Sequence, residues 1–467
     1  MRDIFVTLVV FGSLPLILWR PFYGIIMWTW LGYMNPHRMA WGFSTTMPFA
    51  MMVAITTVVA LVFSKESKKI PWTRETVVLL LFVLWMCLTT AFAFSPPVAA
   101  EQLDKVLKIQ FMTFVTLILL TQRERIHALV WTAALSLGFY GIKGGIFTLM
   151  TAGAFRVQGP PGTFIAGNNE LGLALLMTIP LMRYLQVEEK RHWLKTGLTG
   201  AMVLTLIAAL GTQSRGALVG AAVMGTIFIW KSPKRTTLLL LAALAVPLIL
   251  GFMPETWWDR MGTIETYDED ESAVGRLEAW AFAWNIAVNN FLGGGFEALT
   301  VSGMRDVHSI YFEVLSEHGF VGLAMFLMLL AFTWLSAGWI IRNARKHAEL
   351  KWAESLARML QVSGIAYCVS GAFLGMAYFD FIYLMIALTV ATRRLVAQHL
   401  ASLAPVPRRG MIPRALSAEA TKPPDSPAPV GAGHARDRAL KFPVRGDRPP
   451  VGPASAGQVR SRWHTSG

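Results

Sequence analysis

The sequence predicts an all-α fold: a polytopic integral membrane helical bundle of about 12 spans, with one large external loop between late spans and a disordered C-terminal tail. Composition is the first reason, because hydrophobic residues make up 54% of the 467 residues and charged residues only 15%. Soluble domains carry about 25% charged residues. The second reason is that apolar runs long enough to cross about 30 Å of hydrocarbon recur along most of the chain.

The apolar runs define the predicted spans. Eleven of them follow the N-terminal segment, at residues 47–64, 76–95, 105–121, 127–150, 168–183, 194–211, 215–230, 236–254, 319–341, 356–377 and 380–393. Residues 1–34 are also apolar, and because Arg20-Pro21 interrupts them they form either one long broken helix or two short crossings. A removed signal peptide is the alternative, but no small-residue cleavage site follows, so we expect the segment to remain in the mature fold.

The positions of basic residues predict the orientation, because Lys and Arg are retained on the cytoplasmic side of a membrane. The basic connections carry Lys65, Lys68, Lys69, Arg74, Arg123, Arg125, Lys190, Arg191, Lys195, Lys231, Lys234, Arg235, Arg342, Arg345, Lys346, Lys351 and Arg358. These connections alternate with connections that contain few basic residues. Residues 96–104 have no Lys or Arg, and residues 255–318 have three. We therefore expect an external loop at 255–318, and twelve crossings with both ends of the chain in the cytoplasm.

Half of the net charge of +14 lies in one segment. Residues 401–467 contain eleven basic and four acidic residues, hence +7, among Pro, Gly, Ala and Ser without apolar periodicity. Such a segment cannot bury enough apolar surface to offset its ordering entropy. We expect a disordered basic Pro-rich cytoplasmic tail that either touches anionic lipid or is a solvated appendage. A nucleic-acid partner is not expected.

Neither a metal nor a cofactor is expected. Cys87 and Cys368 each lie within an apolar run, which leaves no disulfide framework and no thiolate metal site. His308 and His318 match no helical zinc signature. The acidic residues 268–270 continue into Glu271, which favours a solvated acidic run over a divalent-metal site.

Two arginines on the expected outer side are candidate anion ligands, since charged residues at the edges of spans are costly and mark functional sites. Arg215 follows a turn of three or four residues between two spans. Its guanidinium suits a bidentate phosphate or pyrophosphate, or else anchors the turn by snorkelling. Arg276 begins a predicted helix at residues 275–291 in the external loop, near backbone N–H groups that favour anions. An ion pair with Glu278 or Asp270 is its alternative.

His308 lies just before the chain re-enters the membrane. Histidine is the side chain that takes and returns a proton near neutral pH, so His308 is a candidate general base. A lone histidine is more often structural than catalytic. The two arginines on the same expected side of the membrane favour the catalytic role.

These residues resemble a known family. The landmarks are Ser214-Arg215-Gly216, Gly275-Arg276 with Trp280, the glycine bend at 293–295, and His308-Ser309 with Tyr311, Leu315, Glu317, Gly319 and Gly322. In this order they look like the O-antigen ligase and polymerase superfamily of bacterial envelope proteins, and Gly162-Thr163-Phe164 with Asn168-Asn169 and Pro180 is similar to the start of its shared region. Residues 20–38 and 139–145 look like the subgroup of O-glycosylation ligases associated with exosortase systems.

The resemblance implies a GT-C-like membrane fold and a metal-independent, inverting glycosyl transfer at the periplasmic face of the inner membrane. The donor would be a glycan on undecaprenyl pyrophosphate, and the acceptor a hydroxyl of a lipid or a protein. By the same resemblance, His308 would be the base, Arg215 and Arg276 would hold the pyrophosphate, and supporting roles would fall to Tyr311, Glu317, His318, Asn168 and Asn169. It divides the chain into N-terminal membrane helices at 1–150, a ligase core at 151–400 and the tail at 401–467.

Three other functions stay open at this point. The first is a repeat-unit polymerase of the same superfamily, which uses the same donor chemistry. The second is a transporter of lipid or polysaccharide, whose path would include charges such as Lys143 and Asp380. The third is a non-catalytic scaffold for envelope assembly. For Lys143, within an apolar span, the simplest expectation is pairing with an acidic partner.

Overall fold

A computed structural model describes residues 1–230, 235–251, 254–255, 257–258, 271–304 and 307–403. Within these ranges the chain contains helices and no β-strand, so the all-α prediction is confirmed. The predicted tail after residue 403 and the acidic run at 268–270 lie outside the described residues.

The helices are numbered here in chain order. In the described ranges they are α1 (Arg2–Trp19), α2 (Phe22–Met34), α3 (Phe49–Phe63), α4 (Arg74–Ala91), α5 (Pro96–Leu119), α6 (Arg123–Met150), α7 (Asn168–Glu188), α8 (His192–Gly211), α9 (Arg215–Trp230), α10 (Arg235–Gly251), α11 (Glu271–Asn289), α12 (Ala298–Val301), α13 (Ile310–Ala344), α14 (Lys351–Ser370) and α15 (Asp380–Leu403). Short 3-10 helices lie at Pro36–Met39, Phe43–Thr45, Ala348–Leu350 and Gly371–Phe373.

Six helices of the described chain are long and apolar enough to cross a membrane, namely α1, α4, α6, α7, α8 and α13. Helices α3 and α9 and the first part of α10 are apolar but shorter. This pattern is that of a polytopic membrane bundle. By length and hydropathy, the described residues therefore contain fewer spans than the expected number of about 12.

The first 34 residues form two helices, α1 and α2, and not one long broken helix. A guanidinium nitrogen of Arg2 donates to the carbonyl of Met39 at 3.2 Å, so the beginning of α1 lies beside the segment that follows α2. The end of α15 lies elsewhere, because His399 hydrogen-bonds Glu349, after α13, at 3.0 Å. The two ends of the described chain therefore contact different segments, and the expectation that both lie in the cytoplasm stays a prediction.

Ion pairs connect several of the basic segments at one end of the bundle. Arg123, at the beginning of α6, binds the Glu188 carboxylate at the end of α7 at 2.9 Å. Arg125 donates to Glu66, between α3 and α4, at 2.8 Å. The opposite end carries the beginnings of α7, α9 and α13, and is called the site side below.

Close packing of α6 on α8 depends on glycine. A Cβ added at Gly145 would lie 2.2 Å from the carbonyl oxygen of Leu204, and one at Gly141 would lie 2.3 Å from the Thr205 hydroxyl. Small residues let membrane helices approach this closely. Another part of the α6 surface, at Gly144, packs against the segment that precedes α7.

Candidate functional site

His308 lies in an unusual backbone conformation two residues before α13. Its φ is 46°, in the left-handed region, and its side chain is half-buried. A non-glycine residue there costs about 1–3 kcal/mol and persists only where the surroundings fix it, often at functional sites. The conformation therefore gives His308 a position that the helix alone would not impose.

Trp280 of α11 fixes the segment around His308. Its indole nitrogen donates to the carbonyl of Val307 at 2.8 Å. Its ring stacks on Phe312, with centroids 5.0 Å apart and planes 9° apart. These two contacts hold the chain immediately before and shortly after His308.

Arg276 lies on the same helix, four residues before Trp280. Residues four apart share a face of an α-helix, so Arg276 lies on the face of α11 that meets the beginning of α13. The side chain is half-buried. The structure thus brings the helix face of Arg276 to the segment that contains His308.

Arg215 is the first residue of α9, after a tight turn. Gln213 in that turn has a φ of 54°, and its side-chain amide donates to the carbonyl of Gly153 at 3.0 Å. The Ser214 hydroxyl accepts from the backbone N–H of Ala217 at 3.2 Å and caps α9. The half-buried Arg215 side chain therefore starts from a well-fixed backbone.

The two asparagines at the beginning of α7 differ in their contacts. The Asn168 side chain donates to the carbonyl of Thr212 at 2.9 Å, which ties α7 to the turn before Arg215. Asn169 is half-buried at the same helix beginning. The expected supporting role of Asn168 is therefore to position this turn.

The 3-10 helix Gly371–Phe373 contacts the beginnings of both α9 and α13. A Cβ added at Gly216, next to Arg215, would lie 3.1 Å from the Phe373 Cβ. One added at Gly371 would lie 2.7 Å from the side chain of Ile310, the first residue of α13. Arg215, which begins α9, and His308, which lies two residues before α13, are thus next to helices that pack on one short segment.

Tyr311 and Glu317 have contacts that hold α13 in place. The Tyr311 hydroxyl donates to the carbonyl of Cys368 at 2.9 Å. One Glu317 carboxylate oxygen accepts from the backbone N–H of Glu297 at 2.8 Å, and the other accepts from the Tyr378 hydroxyl at 2.6 Å. Both residues position the elements around the site.

The glycine bend at 293–295 packs on a kink in α13. The N–H groups of Gly294 and Gly295 donate to the carbonyls of Ser316 and Glu317 at 2.8 and 2.9 Å. Gly319 has a φ of 66°, and a Cβ there would lie 2.4 Å from the carbonyl oxygen of Phe291. The bend also needs glycine at this contact, because a Cβ added at Gly293 would lie 2.7 Å from the backbone of Glu317.

His318 is completely buried, away from the segment of His308. Its Nδ1 is 2.7 Å from the Thr89 hydroxyl, and its carbonyl accepts from the Trp85 indole at 2.9 Å. Phe296 packs edge-on against its ring at 4.7 Å. His318 therefore connects α4 to α13, and its supporting role in the reaction stays a prediction.

A cavity of about 300 Å³ next to Val307 is lined by the predicted supporting residue Glu317 and by two further carboxylates, Glu297 and Glu313, that were not predicted as site residues. Its lining comprises Gln102, Phe164, Glu297, Leu299, Thr300, Val307, Glu313, Ser316, Glu317, Gly375, Met376 and Tyr378. Glu313 accepts from the backbone N–H of Ala377 at 3.0 Å. The one-turn spacing of Glu313 and Glu317 on α13 was the available signal. Carboxylates and hydroxyls of this kind hydrogen-bond to ligand hydroxyl groups.

Among the described residues, no group of three or more His, Cys, Asp and Glu side chains is arranged to hold a metal ion. The charged side chains of the described site include the guanidinium groups of Arg215 and Arg276 and the carboxylates of the cavity next to Val307.

The fold and the site indicate an all-helical membrane protein that has arginines and a histidine near helix beginnings on one side of the bundle. Residues 200–327, which include Arg215, Arg276 and His308, match the family model described as O-Antigen ligase. This match supports the resemblance of the chain to the O-antigen ligase superfamily. Residues 1–190 match a family of unknown function, DUF5935. No curated protein matches the chain. The exosortase-associated subgroup stays a prediction.

Proposed function

We propose that the protein is a membrane glycosyltransferase that moves a glycan from undecaprenyl pyrophosphate to a hydroxyl of a lipid or protein acceptor. The reaction takes place at the periplasmic face of the bacterial inner membrane, with inversion and without a metal. One observation carries the proposal: His308 has a left-handed backbone at the beginning of α13, where Trp280 of α11 fixes the preceding residue.

The proposed chemistry is a single displacement. His308 removes the proton of the acceptor hydroxyl as its oxygen attacks the anomeric carbon, and the bond from that carbon to the pyrophosphate oxygen breaks. General base assistance of this kind contributes about 10²–10⁴-fold. The pyrophosphate leaves with the bonding electrons, and the proton stays on His308 until water removes it.

Arg215 and Arg276 bind the departing pyrophosphate in this proposal. Negative charge grows on the leaving group in the transition state, so fixed guanidinium groups stabilise the transition state more than the ground state. The positions of the two side chains support this role, because both are half-buried on fixed helices. A partly dry position strengthens their interaction with the developing charge.

The acidic cavity next to Val307 is the proposed place of the acceptor. Glu297, Glu313 and Glu317 line it, together with the hydroxyls of Thr300 and Ser316. These groups suit a neutral polyhydroxyl acceptor and repel a second pyrophosphate. The donor and acceptor therefore approach His308 from surroundings of opposite charge.

Reconstitution with a labelled undecaprenyl-pyrophosphate glycan tests the proposal. Purified protein in liposomes is mixed with donor and with candidate lipid or protein acceptors. We expect label on the acceptor with the wild type and none with His308→Ala, while His192→Ala, exposed at the beginning of α8, behaves as the wild type. An active, folded His308→Ala protein would show that His308 is not the base.

The same experiment separates the alternatives. Label in chains of increasing length would indicate the repeat-unit polymerase. Label that crosses the bilayer without changing its attachment would indicate a transporter. Against a transport path, Lys143 and Asp380 line different cavities of the described chain.

A further inference from the structure

A second cavity on the site side has a volume of about 570 Å³. Its lining comprises Arg2, Arg38, Met39, Ala40, Trp41, Tyr140, Lys143, Gly144, Phe147, Arg156, Val157, Gln158, Gly159, Pro160 and Pro161. Ligand pockets typically measure about 300–1,000 Å³. Neither His308 nor the two arginines of the proposed active site contribute to this lining.

One face of α6 forms a wall of the cavity. Tyr140, Lys143, Gly144 and Phe147 follow the spacing of a single helix face. A Cβ added at Gly144 would lie 2.7 Å from the Val157 side chain, so the segment before α7 approaches α6 closely here. The lysine inside an apolar helix is thereby explained by the cavity it faces.

Four cations meet around this space: Arg2, Arg38, Lys143 and Arg156. Within the described chain, no carboxylate oxygen lies within 4.0 Å of a side-chain nitrogen of any of the four. The expectation that Lys143 pairs with an acidic partner is therefore wrong for the residues that the structure describes.

The nearby polar groups compensate this positive charge only in part, because Asp3 is a single carboxylate beside four cations. The Asp3 carboxylate, next to Arg2, accepts from the Ser44 hydroxyl at 2.7 Å and from the backbone of Gly42 at 3.1 Å. The guanidinium of Arg156 donates to the neutral Gln213 side chain at 3.3 Å. Like charges around one cavity repel one another, and an anion inside it would remove that cost.

The cavity also offers apolar surface at its rim. The Trp41 side chain is 91% exposed and that of Phe147 is 39% exposed. Tryptophan at a helix end is typical of the boundary between membrane and water. Guanidinium and ammonium groups bind phosphate, so cations beside aromatic rings suit a phosphate that is attached to an apolar body.

We propose that this cavity binds the phosphate group of an anionic phospholipid headgroup, as a site separate from the proposed active site. Arg38, Lys143 and Arg156 contact the phosphate, while Trp41 and Phe147 contact the adjoining apolar part of the lipid. Free phosphate shares the anion chemistry but lacks the apolar part. The inference does not depend on the proposed glycosyl transfer.

Lipid binding to the purified full-length protein in detergent tests the proposal. Binding of phosphatidylglycerol, phosphatidylcholine and inorganic phosphate is measured by native mass spectrometry and by titration. We expect phosphatidylglycerol to bind in preference to phosphatidylcholine. Each cation near a membrane surface contributes about 1 kcal/mol, or about 5-fold in affinity, so Lys143→Gln/Arg156→Gln should weaken phosphatidylglycerol binding about 25-fold.

The matched control is Arg345→Gln/Lys346→Gln, which removes one arginine and one lysine that are exposed after α13. It should leave phosphatidylglycerol binding unchanged, and thermal melting should show both double variants folded. Equal binding by the wild type and Lys143→Gln/Arg156→Gln would overturn the proposal. So would equal affinity for both lipids. A third outcome is that the wild type binds inorganic phosphate but neither lipid, and that Lys143→Gln/Arg156→Gln loses the phosphate binding. This result would assign the cavity to the free anion and overturn the lipid assignment.

Discussion

The indole nitrogen of Trp280 lies 2.8 Å from the carbonyl oxygen of Val307 and donates a hydrogen bond to it. This bond joins α11 to the residue immediately before His308. Arg276 lies one turn away on α11, so the same contact relates the proposed anion ligand to the proposed base. The register of α11 on α13 therefore decides how both residues face a substrate.

Trp280→Phe should remove this hydrogen bond while an aromatic ring remains to stack on Phe312. We expect a loss of about 1 kcal/mol in stability and a larger effect on transfer, with kcat falling about tenfold or more because His308 loses its fixed position. Initial rates with labelled donor measure it. Trp284→Phe is the control, because Trp284 packs on Phe320 from the same helix. Equal kcat values for the two variants would contradict the positioning role.

Replacing Arg215 or Arg276 by lysine should reduce kcat/KM for the lipid-linked donor. Lysine keeps the charge but lacks the planar fork that binds two phosphate oxygens. Loss of one charge-assisted hydrogen bond, about 1.5–3 kcal/mol, corresponds to about 10–150-fold. Arg345→Lys, exposed after α13, serves as control. Unchanged donor kinetics in both active-site variants would argue against a pyrophosphate clamp.

His318→Ala should affect stability more than chemistry. The ring is completely buried and hydrogen-bonded to Thr89, so its removal leaves a cavity and one hydrogen bond fewer at Thr89, whose hydroxyl also donates to the Met86 carbonyl. We expect a cost of about 2–5 kcal/mol. Well below its melting temperature, the variant should retain at least part of the transfer activity. His308→Ala should show the reverse: an unchanged melting temperature and no transfer. Full loss of activity in a folded His318→Ala protein would give His318 a role in the reaction.

Gly319→Ala should destabilise the kink in α13. Its positive φ disfavours any side chain, and the new Cβ would meet the Phe291 carbonyl oxygen at 2.4 Å. We expect a loss of at least about 1–3 kcal/mol, observed as a lower melting temperature. Gly225→Ala within α9 is the control, because nothing lies within 4 Å of the added Cβ and alanine favours a helix. A Gly319→Ala protein as stable as this control would disprove the requirement for glycine.

The sequence by itself determined the helical membrane class and the superfamily landmarks. Both depend on local information, because hydropathy and helical spacing are properties of consecutive residues. The candidate site residues Arg215, Arg276 and His308 were also found from the sequence, because each lies in a short landmark of consecutive residues. The glycine bend and Gly319 were visible as landmarks too, although the sequence did not show that they contact each other.

Only the tertiary structure decided which helix ends meet. It separates α1 from α2 and places Arg2 beside Met39, buries His318 against Thr89, and gathers three arginines from other parts of the chain around the cavity of Lys143. Such contacts join residues far apart in sequence, and composition and periodicity carry no information about them. The physical reason is that helix packing is set by complementary surfaces, with glycine allowing the closest approaches, and those surfaces exist only once the bundle has formed.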